Sequence, residues 1–238
     1  MKSLLFLLTL LFVAPAVRGA ELIRAVVEPT AGVVAPRALY ISLRTFPTDN
    51  LAFSLQAGLL PRLMAGIGYG GYSVTGMSTP DWFDKVYLKA RFRFFDERHA
   101  FPGLAVGFDN EDEHPRGGGE FHRQERGFYI AASKNFSDPV GETAFHMGSS
   151  ISLEAPEHLG CWMAIDKTLP AGFGLAADWD LGTNGDRDYR FDNSGGFLNF
   201  EVYWQSFGQV RISLQFMDLL ETGGEPYRAL AVDFLGLI

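Results

Sequence analysis

Residues 86–94 read VYLKARFRF, and their apolar and charged side chains alternate one by one. Successive side chains of a β-strand point to opposite faces, whereas one face of a helix recurs every 3.6 residues. The alternation therefore predicts a strand with one oily face and one charged face. The oily face consists of Val86, Leu88, Ala90, Phe92 and Phe94, and the opposite face of Tyr87, Lys89, Arg91 and Arg93.

The same alternation recurs along the chain and predicts twelve strands. It is equally clear at residues 173–181, 198–204 and 210–216. Weaker versions occur at residues 37–46, 51–59, 63–69, 101–108, 127–135, 143–153, 159–167 and 227–236. The predicted fold is all-β: an antiparallel transmembrane β-barrel of about twelve strands over residues 37–238.

The lengths of the connections agree with a barrel. All links after even-numbered strands are short, and the four long links follow odd-numbered strands, at residues 70–85, 109–126, 182–196 and 217–226. Outer-membrane barrels have an even number of strands, short periplasmic turns and longer external loops. Both ends of the barrel are therefore expected on the periplasmic side.

The composition excludes several other classes of protein. The chain has 238 residues, of which 47% are hydrophobic and 20% charged, with 27 Gly, 21 Phe and a single Cys. So many aromatic residues exclude a disordered chain, and one Cys excludes a disulfide framework. A net charge of -8 argues against a nucleic-acid partner. A soluble β-sandwich or lipocalin-like barrel would also alternate and is the competing fold.

The first residues are predicted to be a signal peptide. Lys2 is followed by an apolar run at residues 4–13, and Val17 and Gly19 supply small residues at positions minus three and minus one of a cleavage site. We expect residues 1–19 to be removed, residues 20–36 to form an N-terminal periplasmic segment, and the protein to reside in the outer membrane. Loss of Lys2 and Arg18 takes the net charge from -8 to -10.

The predicted location implies particular partners. The barrel wall would contact outer-membrane lipid and lipopolysaccharide. The alternating Leu230, Val232 and Phe234 resemble the terminal strand signal that the barrel-insertion machinery recognises. The chain departs from that signal by ending on Ile238 rather than on Phe.

Several glycine-rich stretches resemble a family of Gram-negative outer-membrane barrels. They lie at residues 29–32 and 58–76, with residues 39–46 (LYISLRTF) between them, at residues 102–109 (PGLAVGFD) and at residues 127–136 (GFYIAASKNF). The chain is similar there to barrels of the YjbH type, which are linked to exopolysaccharide production. The resemblance implies the barrel architecture and a connection with polysaccharide export.

Charged residues are predicted to line the lumen. The candidates are Lys89, Arg91, Arg93, Asp178, Asp180, Glu201, Arg211 and Asp233. Bases on one strand and acids on the ninth, tenth and twelfth would set a field across a narrow pore and favour polar or anionic solutes such as acidic saccharides. Alternatively, the charges pair across the lumen and plug it. A surface-adhesion role carried by the long loops is a further alternative.

No catalytic residue, metal site or cofactor is predicted. His146 and Ser150 share a strand face, but that spacing places them roughly 13 Å apart, too far for a nucleophile and its base. A lipid hydrolase is therefore a less favoured function for this chain. The acids from Asp109 to Glu113 do not have the spacing of a Ca²⁺ loop, and no glycine loop leads from a strand into a helix to cradle a phosphate.

Overall fold

The computed structural model describes residues 21–47, 49–111, 115–116, 120–121, 126–153, 156, 158–183, 196–206, 209–222 and 225–237. The predicted signal peptide at residues 1–19 lies outside this part of the chain. Twelve long strands in the described part form one sheet. They are β1 Ala38–Phe46, β2 Asn50–Leu60, β3 Leu63–Tyr72, β4 Tyr87–Phe95, β5 Gly103–Asp109, β6 Gly127–Asp138, β7 Gly141–Ile151, β8 Leu159–Thr168, β9 Phe173–Asp180, β10 Phe197–Ser206, β11 Val210–Met217 and β12 Tyr227–Leu237.

The sheet closes on itself. Every strand pairs antiparallel with its neighbours in sequence, and β1 also pairs with β12, so that Ala38 lies opposite Leu237 and Arg44 opposite Ala231. The predicted all-β antiparallel barrel of twelve strands is thereby confirmed. The strand ends differ from the predicted ones by a few residues. No helix in the described residues is long and apolar enough to cross a membrane.

Four short elements in the described residues were not predicted. Asp81–Trp82 adds to β3, and Pro115–Arg116 pairs with Glu120–Phe121 within the loop after β5. A single 3₁₀ turn, Pro170–Gly172, connects β8 to β9. Elements of two or three residues are too short to show a periodic pattern, so alternation does not predict them.

The outer surface of the barrel is apolar. On β10, Val202 and Trp204 are exposed, while Glu201 and Tyr203, which alternate with them, are buried. The neighbouring β11 repeats this pattern with exposed Ile212 and Leu214. A soluble sandwich would bury such faces between two sheets, whereas a bilayer solvates them. The wall is therefore suited to lipid.

Residues 21–36, here called the N-terminal hairpin, lie inside the barrel. Arg24 bridges Pro29 in antiparallel pairing, and the Ala25 amide donates to the Glu28 carbonyl across the turn. Hydrogen bonds join the hairpin to β1, β4, β6, β9, β11 and β12, which surround it on all sides. The segment for which the sequence predicted a periplasmic location thus finds partners for its apolar and polar groups on the inner wall.

Small residues on the inner wall make room for aromatic rings. Gly107 of β5 lies opposite Tyr129 of β6, and a Cβ atom added at Gly107 would lie 2.3 Å from Cζ of that ring. Gly174 of β9 has the same relation to Tyr203 of β10, at 2.1 Å. Each tyrosine ring therefore lies over the glycine opposite it and occupies the part of the lumen next to the wall.

Replacing Gly107 with Ala should lower the free energy of unfolding of the barrel by about 1–3 kcal/mol, because the added methyl displaces the Tyr129 ring. Urea titration of the folded barrel in detergent measures the change. Gly68→Ala is the matched control, since its Cβ would meet nothing closer than 3.4 Å. Equal effects of the two substitutions would contradict the packing account.

Candidate functional site

Asp178 of β9 holds the turn of the N-terminal hairpin. Its Oδ2 atom accepts hydrogen bonds from the amides of Val26, Val27 and Glu28, at 3.2, 2.6 and 2.9 Å. Its Oδ1 atom accepts from Asn199 Nδ2 at 2.8 Å. The carboxylate is 1% exposed. A buried charge is tolerated when several donors converge on it, and consecutive amides of a turn form such an anion site.

The opposite side of the hairpin faces the basic strand β4. Arg91 donates from Nη1 to the carbonyls of Ile23, at 2.9 Å, and Gly32, and from Nε to Tyr129 Oη at 2.8 Å. Arg93 forms an ion pair with Glu21. Guanidinium groups thus satisfy the carbonyls of the hairpin, as Asp178 satisfies its amides.

Ion pairs fix the two strands of the hairpin to the wall. Arg24 Nη2 lies 2.9 Å from Asp233 Oδ1 and 3.0 Å from Ser42 Oγ. Burial lowers the pKa of Arg24, but the electrostatic effects of Asp233, Tyr40, Glu201 and Glu111 together outweigh burial, so the pKa lies above its usual value. On the other arm, Glu28 Oε2 lies 3.2 Å from Arg126 Nη2.

Apolar contacts complete the fit of the hairpin. Its valine and isoleucine side chains pack in two groups against apolar wall residues. One group contains Val26, Val27, Ala176, Met217 and Ala229, and the other Ile23, Val33, Val34, Ala38, Tyr40, Met64 and Leu235. Full burial of such a side chain contributes about 1.5–3 kcal/mol.

The structure places all eight predicted lumen residues inside the barrel. Arg91, Arg93, Asp178 and Asp233 contact the hairpin, as described above. The other four bind wall or loop groups. Arg211 Nε donates to Glu201 Oε1 at 3.0 Å, Lys89 Nζ binds Asp109 Oδ2 at 2.7 Å, and Asp180 accepts from the Gly182 amide at 2.8 Å. Basic and acidic side chains of this set therefore both have partners. Four of the eight residues bind the hairpin rather than a charged group on the other side of the lumen.

Sequence reasoning missed the hairpin and several of its wall partners, among them Arg126, Ser133 and Asn199. One signal was present. Residues 25–27 and 33–34 are short apolar runs on either side of Pro29 and Gly32, a pattern that a solvated linker does not need. Nothing in the alternation of the strands identifies the segment that fills the lumen.

His146 of β7 is bonded to a neighbour that the sequence did not identify. Its Nδ1 atom lies 2.8 Å from Ser133 Oγ, directly opposite on β6. Ser133 Oγ also accepts from the Ala31 amide at 2.8 Å. The pair therefore supports the hairpin, and both residues are buried beneath it.

No protein-family model and no curated protein matches the sequence. Among solved structures, the KdgM porin matches with a TM-score of 0.52 and 6% identity over 83% of this chain and 98% of the porin. The NanC porin matches with a TM-score of 0.46 and 7% identity over 84% of this chain and 99% of that porin. The likeness to KdgM shows a common porin-type barrel fold. Neither match connects the chain to YjbH-type proteins or to exopolysaccharide.

Replacing Asp178 with Asn should loosen the hairpin, because it removes the charge that three amides share. The amides of Val26, Val27 and Glu28 should exchange hydrogen at least about tenfold faster in deuterated buffer. Asp166→Asn on β8 is the matched control, since the recorded hydrogen-bond partner of that side chain, Tyr203, lies on the wall. Unchanged exchange in Asp178→Asn would show that the carboxylate does not hold the turn.

Proposed function

We propose that the protein is an outer-membrane barrel that acts as a narrow channel, held closed by its own N-terminal hairpin. The observation that carries this proposal is the set of hydrogen bonds and ion pairs that joins the hairpin to strands all around the lumen. Twelve strands enclose more space than an eight-stranded barrel, whose wall side chains suffice to fill it. The hairpin occupies that extra space.

The attachment of the hairpin allows it to leave as a unit. It continues into β1 at its carboxyl end, where Pro36 bridges Gly58 and the Arg37 amide donates to the Gly58 carbonyl. That end lies at the short-turn mouth of the barrel, which we assign to the periplasm. Withdrawal toward this mouth breaks the contacts of residues 21–34 without unpairing any strand of the barrel.

Withdrawal would expose a wall suited to polar solutes. Lys89, Arg91 and Arg93 line one side, and Asp178 and Glu201 lie on the opposite side. A lumen with both signs of charge selects water-soluble molecules by size and by charge pattern. A connection with exopolysaccharide export is a further proposal, which rests on the sequence resemblance alone. The adhesion alternative depends on the four long loops, and residues 112–114, 117–119, 122–125, 184–195 and 223–224 of these loops lie outside the described part of the chain.

Planar-bilayer recording tests the closed channel. The mature chain should give only rare openings, whereas deletion of residues 21–34 should give a steady ion current, because water then fills the lumen. Asp178→Asn should open more often than the mature chain, and Asp166→Asn should not.

Two results would overturn the proposal. A mature chain that conducts as steadily as the deletion variant would show that the hairpin does not close the lumen. A deletion variant that folds, as judged by far-UV circular dichroism, but passes no current would show that wall side chains alone block it.

A further inference from the structure

A cavity of about 460 Å³ lies between the hairpin and the short-turn mouth of the barrel. Hairpin residues Ile23, Arg24 and Gly32 line one end, and the turn residues Asp96 and Gln209 line the other. The volume lies in the range of small-molecule sites. The closed barrel therefore keeps a vestibule that faces the same compartment as the short turns.

Arg93 Nε in the vestibule wall lies 3.0 Å from Asp96 Oδ1, but two other buried atoms there have no hydrogen-bond partner among the described residues. They are His146 Nε2 and Asp166 Oδ2, on side chains of residues that are only 5% and 6% exposed. Asp166 Oδ2 lies 3.9 Å from Arg211 Nη2, and that guanidinium is already bound to Glu201. Unsatisfied buried polar atoms are costly and rare in native proteins. Their presence at a cavity points to a ligand.

The vestibule carries an excess of negative charge. Its lining in the described part of the chain contains the acids Glu21, Asp96, Glu97, Glu142, Asp166 and Asp233, against the bases Arg24, Arg93 and Arg211. Each arginine has an acidic partner. Arg24 pairs with Asp233, Arg93 with Glu21 and Asp96, and Arg211 with Glu201. Glu97 is paired with Lys134. Within the described residues, Glu142 and Asp166 are left without a cation in hydrogen-bond contact.

Glu142, Asp166 and His146 lie close together. Asp166 is opposite Ala144, and Glu142 and His146 are two residues to either side of Ala144 on the same strand face. Such diagonal positions on adjacent strands are about 7–8 Å apart. When His146 donates from Nδ1 to Ser133 Oγ, its Nε2 atom presents a lone pair to the cavity beside the Asp166 carboxylate.

We infer that the vestibule binds a small solute that carries primary ammonium groups, taken up from the side of the short turns. An ammonium group donates three hydrogen bonds and accepts none, which matches a carboxylate and an imidazole lone pair. A second ammonium group of a linear diamine would reach Glu142. An anion would instead meet the negative excess. In the described residues no group of three His, Cys, Asp or Glu side chains could hold a metal ion.

Titration calorimetry on the full mature chain in detergent tests this site, with putrescine as the probe and butane-1,4-diol as its uncharged counterpart. Putrescine should bind saturably and the diol should not. Asp166→Asn should weaken putrescine binding at least about tenfold through loss of a charge-assisted hydrogen bond. Glu142→Gln, near the mouth and with less risk to folding, should weaken it as well.

Asp138→Asn is the matched control. It removes a carboxylate at the same end of the barrel, where Asp138 pairs with Lys167 away from the cavity, and it should change the affinity less than about twofold. Equal binding of the diol, absence of saturable putrescine binding, or equal effects of Asp166→Asn and Asp138→Asn would overturn the inference. None of these binding results changes the ion current expected in the planar-bilayer experiment. The ammonium site and the closed channel can therefore be disproved independently.

Discussion

The interior of this barrel depends on one interaction, the capture of three consecutive hairpin amides by the Asp178 carboxylate. A peptide segment that enters a barrel brings donors and acceptors that water no longer satisfies, so the wall must replace water on both sides. Asp178 supplies the acceptors, and Arg91, roughly opposite on the ring of strands, supplies donors to the carbonyls. The segregation of acids and bases on the wall is thus matched to the two edges of the hairpin.

The remaining contacts follow from the orientation that these two residues impose. With the turn fixed at Asp178, Arg24 reaches Asp233 and Glu28 reaches Arg126, while the valines on either side of the turn face small wall residues such as Ala176 and Ala229. Buried ion pairs alone contribute little net stability, because desolvation offsets their attraction. Their role here is better described as selecting one orientation of the hairpin, with the apolar contacts supplying the favourable free energy.

The hairpin lies across the lumen. On the side of the long loops, the described residues Asp178, Asn199 and Gln215 are almost fully buried. Toward the short turns a cavity remains, with unpaired acceptors in its wall. The fold is shared with the KdgM porin, but fold does not set what a barrel transports, since function depends on the groups that line the lumen. In this chain, the N-terminal hairpin and the vestibule are the features from which function is inferred.

The sequence by itself determined the barrel. Period-two alternation is a local property, so residues 86–94 and the eleven similar segments were sufficient to predict the strands, the oily outer wall and the inward set from Lys89 to Asp233. The partners of those residues could not be predicted. Arg91 and Asp178 act together only because closure of the sheet brings β4 and β9 to opposite sides of one lumen, and the hairpin that joins them lies outside every strand pattern. Likewise, Ser133 meets His146 through the register of β6 and β7, which period-two alternation alone leaves open. Tertiary structure decided these contacts because they join residues far apart in the chain. Composition and local spacing do not indicate which distant residues come close together in space.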